Sequence, residues 1–199
     1  LSARGTHGPL RMIHGELSPK SVLVTSSGDV KVTDFGLSMA LGCESARVSI
    51  AELVARLRYL APEVARGSAP DERADVFSLG VLLYELVCGP RISPNATAAQ
   101  AMSVVQDGVV PVSLVEPQLP GQLRQLLRRA VDRDPSRRYP DAIAFAADLQ
   151  RLASLLGVKE APKPFRQEVM ARALPPANDI VYQAEVVDWD AAPTIVDNK

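Results

Sequence analysis

The stretch "HGELSPKSVLVTSSGDVKVTDFG", residues 14 to 36, decides how the rest of the chain is read. Two runs rich in β-branched residues, "SVLVT" and "VKVTDF", stand on either side of "SSGD", where Gly28 and Asp29 supply turn chemistry. That arrangement predicts a β-hairpin over residues 21 to 35. The polar loop at 14 to 21 leads directly into it.

Outward from the hairpin the periodicity changes from two to about 3.6 residues. Over residues 72 to 87, apolar side chains recur at Val76, Leu79, Leu82, Leu83, Leu86 and Val87. Phe77 and Val81 widen the apolar surface around the circumference, so the pattern predicts a helix buried on most sides. Gly89 and Pro90 stop it. Further helices are expected in "ATAAQAMSVVQDG", "PGQLRQLLRRAVDRD" and "YPDAIAFAADLQRLASLLG", each apolar on one face and bounded by Gly or Pro. The body is therefore read as mainly α.

Beyond Gly157 the composition shifts. Pro162, Pro164, Pro175, Pro176 and Pro193 appear, and beyond Ala177 the acids Asp179, Glu185, Asp188, Asp190 and Asp197 are opposed only by Lys199. Residues 157–199 are expected to be a Pro-containing acidic linker or tail that does not order itself. No internal repeat is present.

At 199 residues, 47% apolar and 23% charged, the chain has the composition of one folded domain plus an appendage. A net charge of −1 gives no global field for nucleic acid or an anionic membrane. The arginine cluster Arg124, Arg128, Arg129, Arg133, Arg137 and Arg138 lacks interleaved aromatics for base stacking and reads as a solvated helix face. Cys43 and Cys88 are far apart, which speaks against a disulfide framework or a zinc site and for reduced thiols in a cytoplasmic protein. The most apolar window, 76 to 87, is too short to span a bilayer.

Five short motifs occur in a fixed order: "HGELSPKS" at 14 to 21, "DFG" at 34 to 36, "YLAPE" at 59 to 63, "ADVFSLGVLLYEL" at 74 to 86 and "DPSRRYPDA" at 134 to 142. Together they resemble the large helical lobe of bacterial, eukaryotic-like serine/threonine protein kinases. The resemblance covers about residues 1–156. It implies a kinase-like C-lobe, with the hairpin carrying the catalytic and DFG loops, and a family chemistry of phosphoryl transfer from ATP to a protein hydroxyl.

Position by position, the resemblance implies a kept scaffold and altered chemistry. Asp34 matches the DFG aspartate that holds magnesium, although alone it would read as an ordinary turn aspartate. His14 and Phe35 match members of an internal stack, and Asp75 matches the residue that tethers the catalytic loop to the central helix. Glu63 and Arg138 match a buried ion pair. The catalytic-loop aspartate is Glu16, one methylene longer; a misplacement of ~1 Å can cost on the order of a hundredfold in rate. Glu16 is thus either a degenerate catalytic carboxylate or a solvated loop acid. The asparagine expected to bind a second magnesium is Ser21, a weaker metal ligand.

Other positions depart further. The arginine beside the catalytic residue is Gly15, so a phosphate on the activation segment would lose its usual cation. Ser18 stands where a lysine is common, and Arg56 where a threonine bonds to the catalytic loop. Thirteen residues precede His14, and "LSARGTHGPLRM" reads as the end of a helix and loop with no glycine-rich strand turn. No small N-lobe and no cofactor-binding residue are expected in this chain; ATP and Mg2+ would enter only with a small lobe upstream of Leu1.

The expected function is a pseudokinase-type module that binds protein partners through the activation segment (36 to 60), the helical lobe or the acidic tail. The competing expectation is a fragment of a longer kinase with weak transfer through Asp34 and Glu16. Thr194, with Asp197 three residues on, further resembles a phosphothreonine docking motif, against the plainer reading of an unstructured tail.

Overall fold

The computed structural model describes residues 4–5, 8–9, 13–25, 29–35, 49–93, 95–108, 110 and 119–158, all within one compact unit. The hairpin turn, Gly36, Cys43, the acidic tail beyond 158 and Thr194 lie outside the described residues. Two short strands open the chain: β1 (Arg4–Gly5) pairs antiparallel with β2 (Gly8–Pro9). The expected helix end in this stretch is thus replaced by strand pairing.

The hairpin forms as expected. β3 (Val22–Val24) pairs antiparallel with β4 (Val30–Val32), with Val22 opposite Val32 and Val24 opposite Val30. Thr33 N donates to the Ser21 carbonyl at 2.9 Å, closing the end where the two motif loops enter and leave.

The described residues further include six α-helices, α1 (Ile50–Leu57), α2 (Pro62–Ala65), α3 (Glu72–Cys88), α4 (Ala98–Asp107), α5 (Gly121–Ala130) and α6 (Ala142–Leu155), and two 3-10 turns, Pro19–Ser21 and Pro135–Arg137. Local chemistry sets their starts. The Asp71 carboxylate accepts from Arg73 N, Thr97 and Gln100 form a capping box, and Asp141 accepts from Ala144 N. At the other end of α3, Gly89 takes φ 86°, a conformation glycine adopts without steric cost, and its N–H bonds to the Glu85 carbonyl.

Helix α3 is the axis of the core. One face buries Ala74, Phe77, Val81 and Tyr84 with Tyr59, Ala61, Leu127 and Val131; another buries Val76 with Leu126, Ala130, Tyr139, Phe145 and Leu152. Its final turn departs from expectation: Leu86 is 83% exposed and Val87 is exposed as well. They belong to the helical repeat but project past the packed neighbours.

At Gly80, α3 leaves no room for a side chain against the C-terminal end of α5. A Cβ there would lie 2.7 Å from Val131 Cγ1 and 2.9 Å from Ala130 Cβ. Alanine normally favours a helix over glycine by about 1 kcal/mol. Here overpacking, about 1–3 kcal/mol, opposes and exceeds that gain. Gly80→Ala is expected to lower the thermal midpoint by several degrees; an unchanged or higher midpoint would show that the two helices can part at no cost.

Candidate active site

The site is built around His14. Its backbone N–H donates to Asp75 Oδ2 at 2.7 Å, and the next amide, Gly15 N, donates to Asp75 Oδ1 at 2.9 Å. One carboxylate in the first turn of α3 therefore grips two successive amides of the loop. Burial raises the Asp75 pKa above the ordinary carboxylate value, and the two amide bonds pull it back only in part.

The imidazole links the loop to the turn after the hairpin. His14 Nε2 lies 2.8 Å from the Thr33 carbonyl, which can only accept, so the proton resides on Nε2; Nδ1 then receives the Glu16 N–H at 3.4 Å. The Phe35 ring sits 4.9 Å from the imidazole, centroid to centroid, at 47°. His14 is itself buried. This is a positioning histidine, with both ring nitrogens engaged by backbone.

Asp34 follows Thr33 directly, and it is the described non-glycine residue with positive φ, at 65°. A left-handed conformation costs an L-residue roughly 1–2 kcal/mol, although aspartate tolerates it better than most. Such strain persists where surrounding contacts over-determine it, and here the contacts on either side, Thr33 to His14 and Phe35 on His14, do so. The carboxylate remains exposed, with Thr33 Oγ1 donating to it at 3.2 Å.

The other expected metal ligand is turned inward. Ser21 is 3% exposed, its hydroxyl donates to the Ser18 carbonyl at 2.8 Å, and it accepts from Ser18 N at 3.0 Å. It closes the 3-10 turn Pro19–Ser21 instead of presenting an oxygen to solvent. Among the described residues no cluster of three or more His, Cys, Asp or Glu could hold a metal. Magnesium needs only one or two carboxylates when phosphate oxygens and water complete its shell, so Asp34 fits that ion as a lone protein ligand.

Glu16 faces Arg56. Arg56 Nη1 lies 3.8 Å from Glu16 Oε1, with the side chains 58% and 38% exposed. Arg56 arrives on α1, a helix that the sequence reading missed. Its signal was present in "IAELVARL", where Ile50, Leu53, Val54 and Leu57 follow the i, i+3, i+4, i+7 rule. Val54 and Leu57 bury it against Ile92, in the segment after α3, and against Ala101 and Val105 of α4.

A second unforeseen cluster fixes the chain between α1 and α2. Tyr59 donates its hydroxyl hydrogen to Glu85 Oε2 at 2.6 Å, Arg58 Nε approaches Glu85 Oε1 at 3.6 Å, and Arg91 N donates to Oε1 at 3.1 Å. The buried Arg91 guanidinium donates to the carbonyls of Arg58 and Val104 and lies over the Phe77 ring. Burial lowers its pKa to about 10, which leaves it cationic at neutral pH. Burial and the neighbouring Glu85 push the Tyr59 phenol upward.

The Glu63 and Arg138 side chains meet as a bidentate pair at 2.7 and 2.8 Å. The wider arginine cluster is a helix and turn surface: Arg129 stacks on Tyr139 and approaches Asp148, and Arg137 pairs with Asp132. No described helix is long and apolar enough to cross a membrane.

A hairpin whose two loops meet on one buried histidine, over a mainly helical body, is the architecture of a kinase helical lobe. The family profile described as "Protein tyrosine and serine/threonine kinase" matches residues 9–144, more than half of the chain. The chain belongs to the protein kinase family. It is 37% identical over 150 residues to the serine/threonine-protein kinase PknL of Mycobacterium tuberculosis, covering 75% of this chain and 37% of that protein. It is 32% identical over 174 residues to the probable serine/threonine-protein kinase PknB of Lactococcus lactis, covering 87% and 27%. To the tyrosine-protein kinase MasK of Myxococcus xanthus it is 38% identical over 149 residues, covering 73% and 23%. The chain spans well under half the length of these relatives.

Proposed function

We propose that residues 1–156 form a kinase helical lobe with weakened transfer chemistry, and that the lobe acts as a regulatory, protein-binding module in the cytoplasm. The observation that carries this reading is the division within the site. The contacts that hold the loop, His14 to Asp75, Thr33 and Phe35, are complete. The groups that would act on phosphate are altered: Glu16 replaces the shorter acid and is paired with Arg56, and Ser21 is committed to its own turn. Protein partners would engage the activation segment, the α4 face or the acidic tail at 157–199.

A second reading is weak phosphoryl transfer from ATP with Mg2+ to serine or threonine hydroxyls, as part of a longer kinase. The exposed Asp34 carboxylate, held at the cost of a left-handed backbone, favours it. In that case magnesium would supply charge neutralisation of the phosphates, Asp34 would hold it, and Glu16 would orient the acceptor hydroxyl.

The two readings separate in one assay. With magnesium–ATP and a serine- and threonine-rich acceptor protein, the product of the whole reading frame that contains this chain, with any small lobe it encodes, is expected to transfer no more phosphate than its Asp34→Ala variant. Transfer that vanishes in Asp34→Ala would replace the first reading with the second.

A further inference from the structure

The loop at 13–21 contains one lysine, Lys20, and no arginine, yet it borders the carboxylate suited to a metal-bound phosphate. A cation reaches this loop from elsewhere. Arg56 projects from the last turn of α1 to Glu16, and Glu16 is two residues from His14, whose ring bonds to the residue before Asp34. The backbone of Glu16 and the backbone of Thr33, which precedes Asp34, therefore meet on the two nitrogens of one imidazole, and the Arg56 guanidinium stands beside the Glu16 carboxylate.

Two roles are open to that guanidinium: a latch that closes the loop, or a ligand for an incoming anion. Magnitudes decide between them. At 3.8 Å the pair is longer than a hydrogen bond, and ion pairs of this exposure contribute about 0–1 kcal/mol. That is too little to hold a segment shut. Helix α1 is held instead by Val54 and Leu57 in the apolar cluster with α4, so its position does not depend on the ion pair. The guanidinium is thus presented by a packed helix while loosely engaged itself. A fork of N–H donors in that state binds a phosphate oxygen strongly, because charge-assisted bonds are about twice as strong as neutral ones.

We propose that Arg56 is the phosphate-binding cation of this site, and that it exchanges its loose contact with Glu16 for an oxygen of a polyphosphate whose magnesium rests on Asp34. The inference rests on Asp34 meeting a metal-bound phosphate, and it holds whether or not transfer follows.

The test is calorimetric titration of the full chain with magnesium tripolyphosphate. Arg56→Thr is expected to weaken binding about tenfold and Arg56→Lys to fall between. Glu16→Gln, which removes the competing carboxylate, is expected to tighten it a few-fold. Arg137→Thr serves as a remote control, since Arg137 is 73% exposed and paired only loosely with Asp132. A circular dichroism melt of each variant checks that the lobe is intact.

The proposal is overturned if the parent shows no magnesium-dependent binding, if Arg56→Thr binds like the parent, or if Arg137→Thr or Lys20→Ser loses as much as Arg56→Thr. Binding unchanged in Asp34→Ala would overturn the metal's place in it. The phosphate-transfer assay is read separately: Asp34-dependent transfer would end the regulatory reading and leave the Arg56 result standing.

Discussion

Arg138→Ala is expected to remove about 3–5 kcal/mol of folding stability, the usual cost of stripping one partner from a buried ion pair. Against a typical total of about 5–15 kcal/mol, that is enough to leave the lobe partly unfolded at physiological temperature. The Arg138 side chain is 0% exposed. Its Nη1 and Nη2 donate to both Glu63 oxygens, Nη1 also to the Arg73 carbonyl, and Nε to the Asp132 carbonyl at 2.7 Å. The guanidinium carbon lies 4.7 Å above the Phe77 ring, so the planar cation is stacked as well as bonded.

Three segments meet at this one side chain: α2, the start of α3 and the turn before α6. Removing it leaves the Glu63 carboxylate with little exposure and no counter-charge. Glu63→Ala should cost nearly as much for the converse reason, and the double variant much less than the sum of the two. Arg138→Lys should not restore stability, because a single ammonium cannot reproduce the fork. Urea unfolding measures each value; midpoints within about 0.3 M of the parent would contradict this account.

The parts of the site legible in the sequence are those fixed by residue identity at set spacing. His14, Phe35 and Asp75 are picked out by the motif series, and the structure brings them together; Glu63 and Arg138, 75 positions apart, meet as a bidentate pair. What the sequence concealed depends on tertiary packing. An eight-residue helix such as α1 is too short to stand alone in water, so its weak periodicity acquires meaning only against α4. The Arg56 and Glu16 contact follows from that helix and was invisible without it. The same holds for Glu85, which sits in an apolar run in the sequence and anchors Tyr59, Arg58 and Arg91 in the fold. For Ser21, residue type suggested an oxygen ligand, while the local turn had already taken its hydroxyl.

Asp75→Ala is expected to free the catalytic loop while leaving the helical core folded. The substitution removes the acceptor of two amides, His14 N and Gly15 N, and each buried donor left unsatisfied costs about 1–3 kcal/mol. The total falls locally, since α3 keeps its packing through Val76, Phe77 and Val81. Native-state hydrogen exchange should show the amides of residues 14 and 15 losing roughly tenfold or more in protection, while those of α3 change little. Parent-like exchange at both amides would refute the tether.

The pH dependence distinguishes this carboxylate from an ordinary salt-bridged one. Burial raises the folded pKa of Asp75, so the folded state holds the proton more tightly than the unfolded chain does. Its titration therefore contributes stability below the unfolded aspartate pKa of about 4, and that contribution is lost as pH rises through the higher folded value. Asp134 has the opposite sign, its pKa being lowered by hydrogen bonds from Ser136, so the raw acid limb mixes the two. The difference between the parent and Asp75→Ala isolates the Asp75 contribution: the parent's advantage should shrink as pH rises through that window and level off above it. An advantage that grows with pH would mean that the amide bonds outweigh burial. In that case the loop would be held by a carboxylate that is most stable ionised, and the site would tighten where the present account has it loosen.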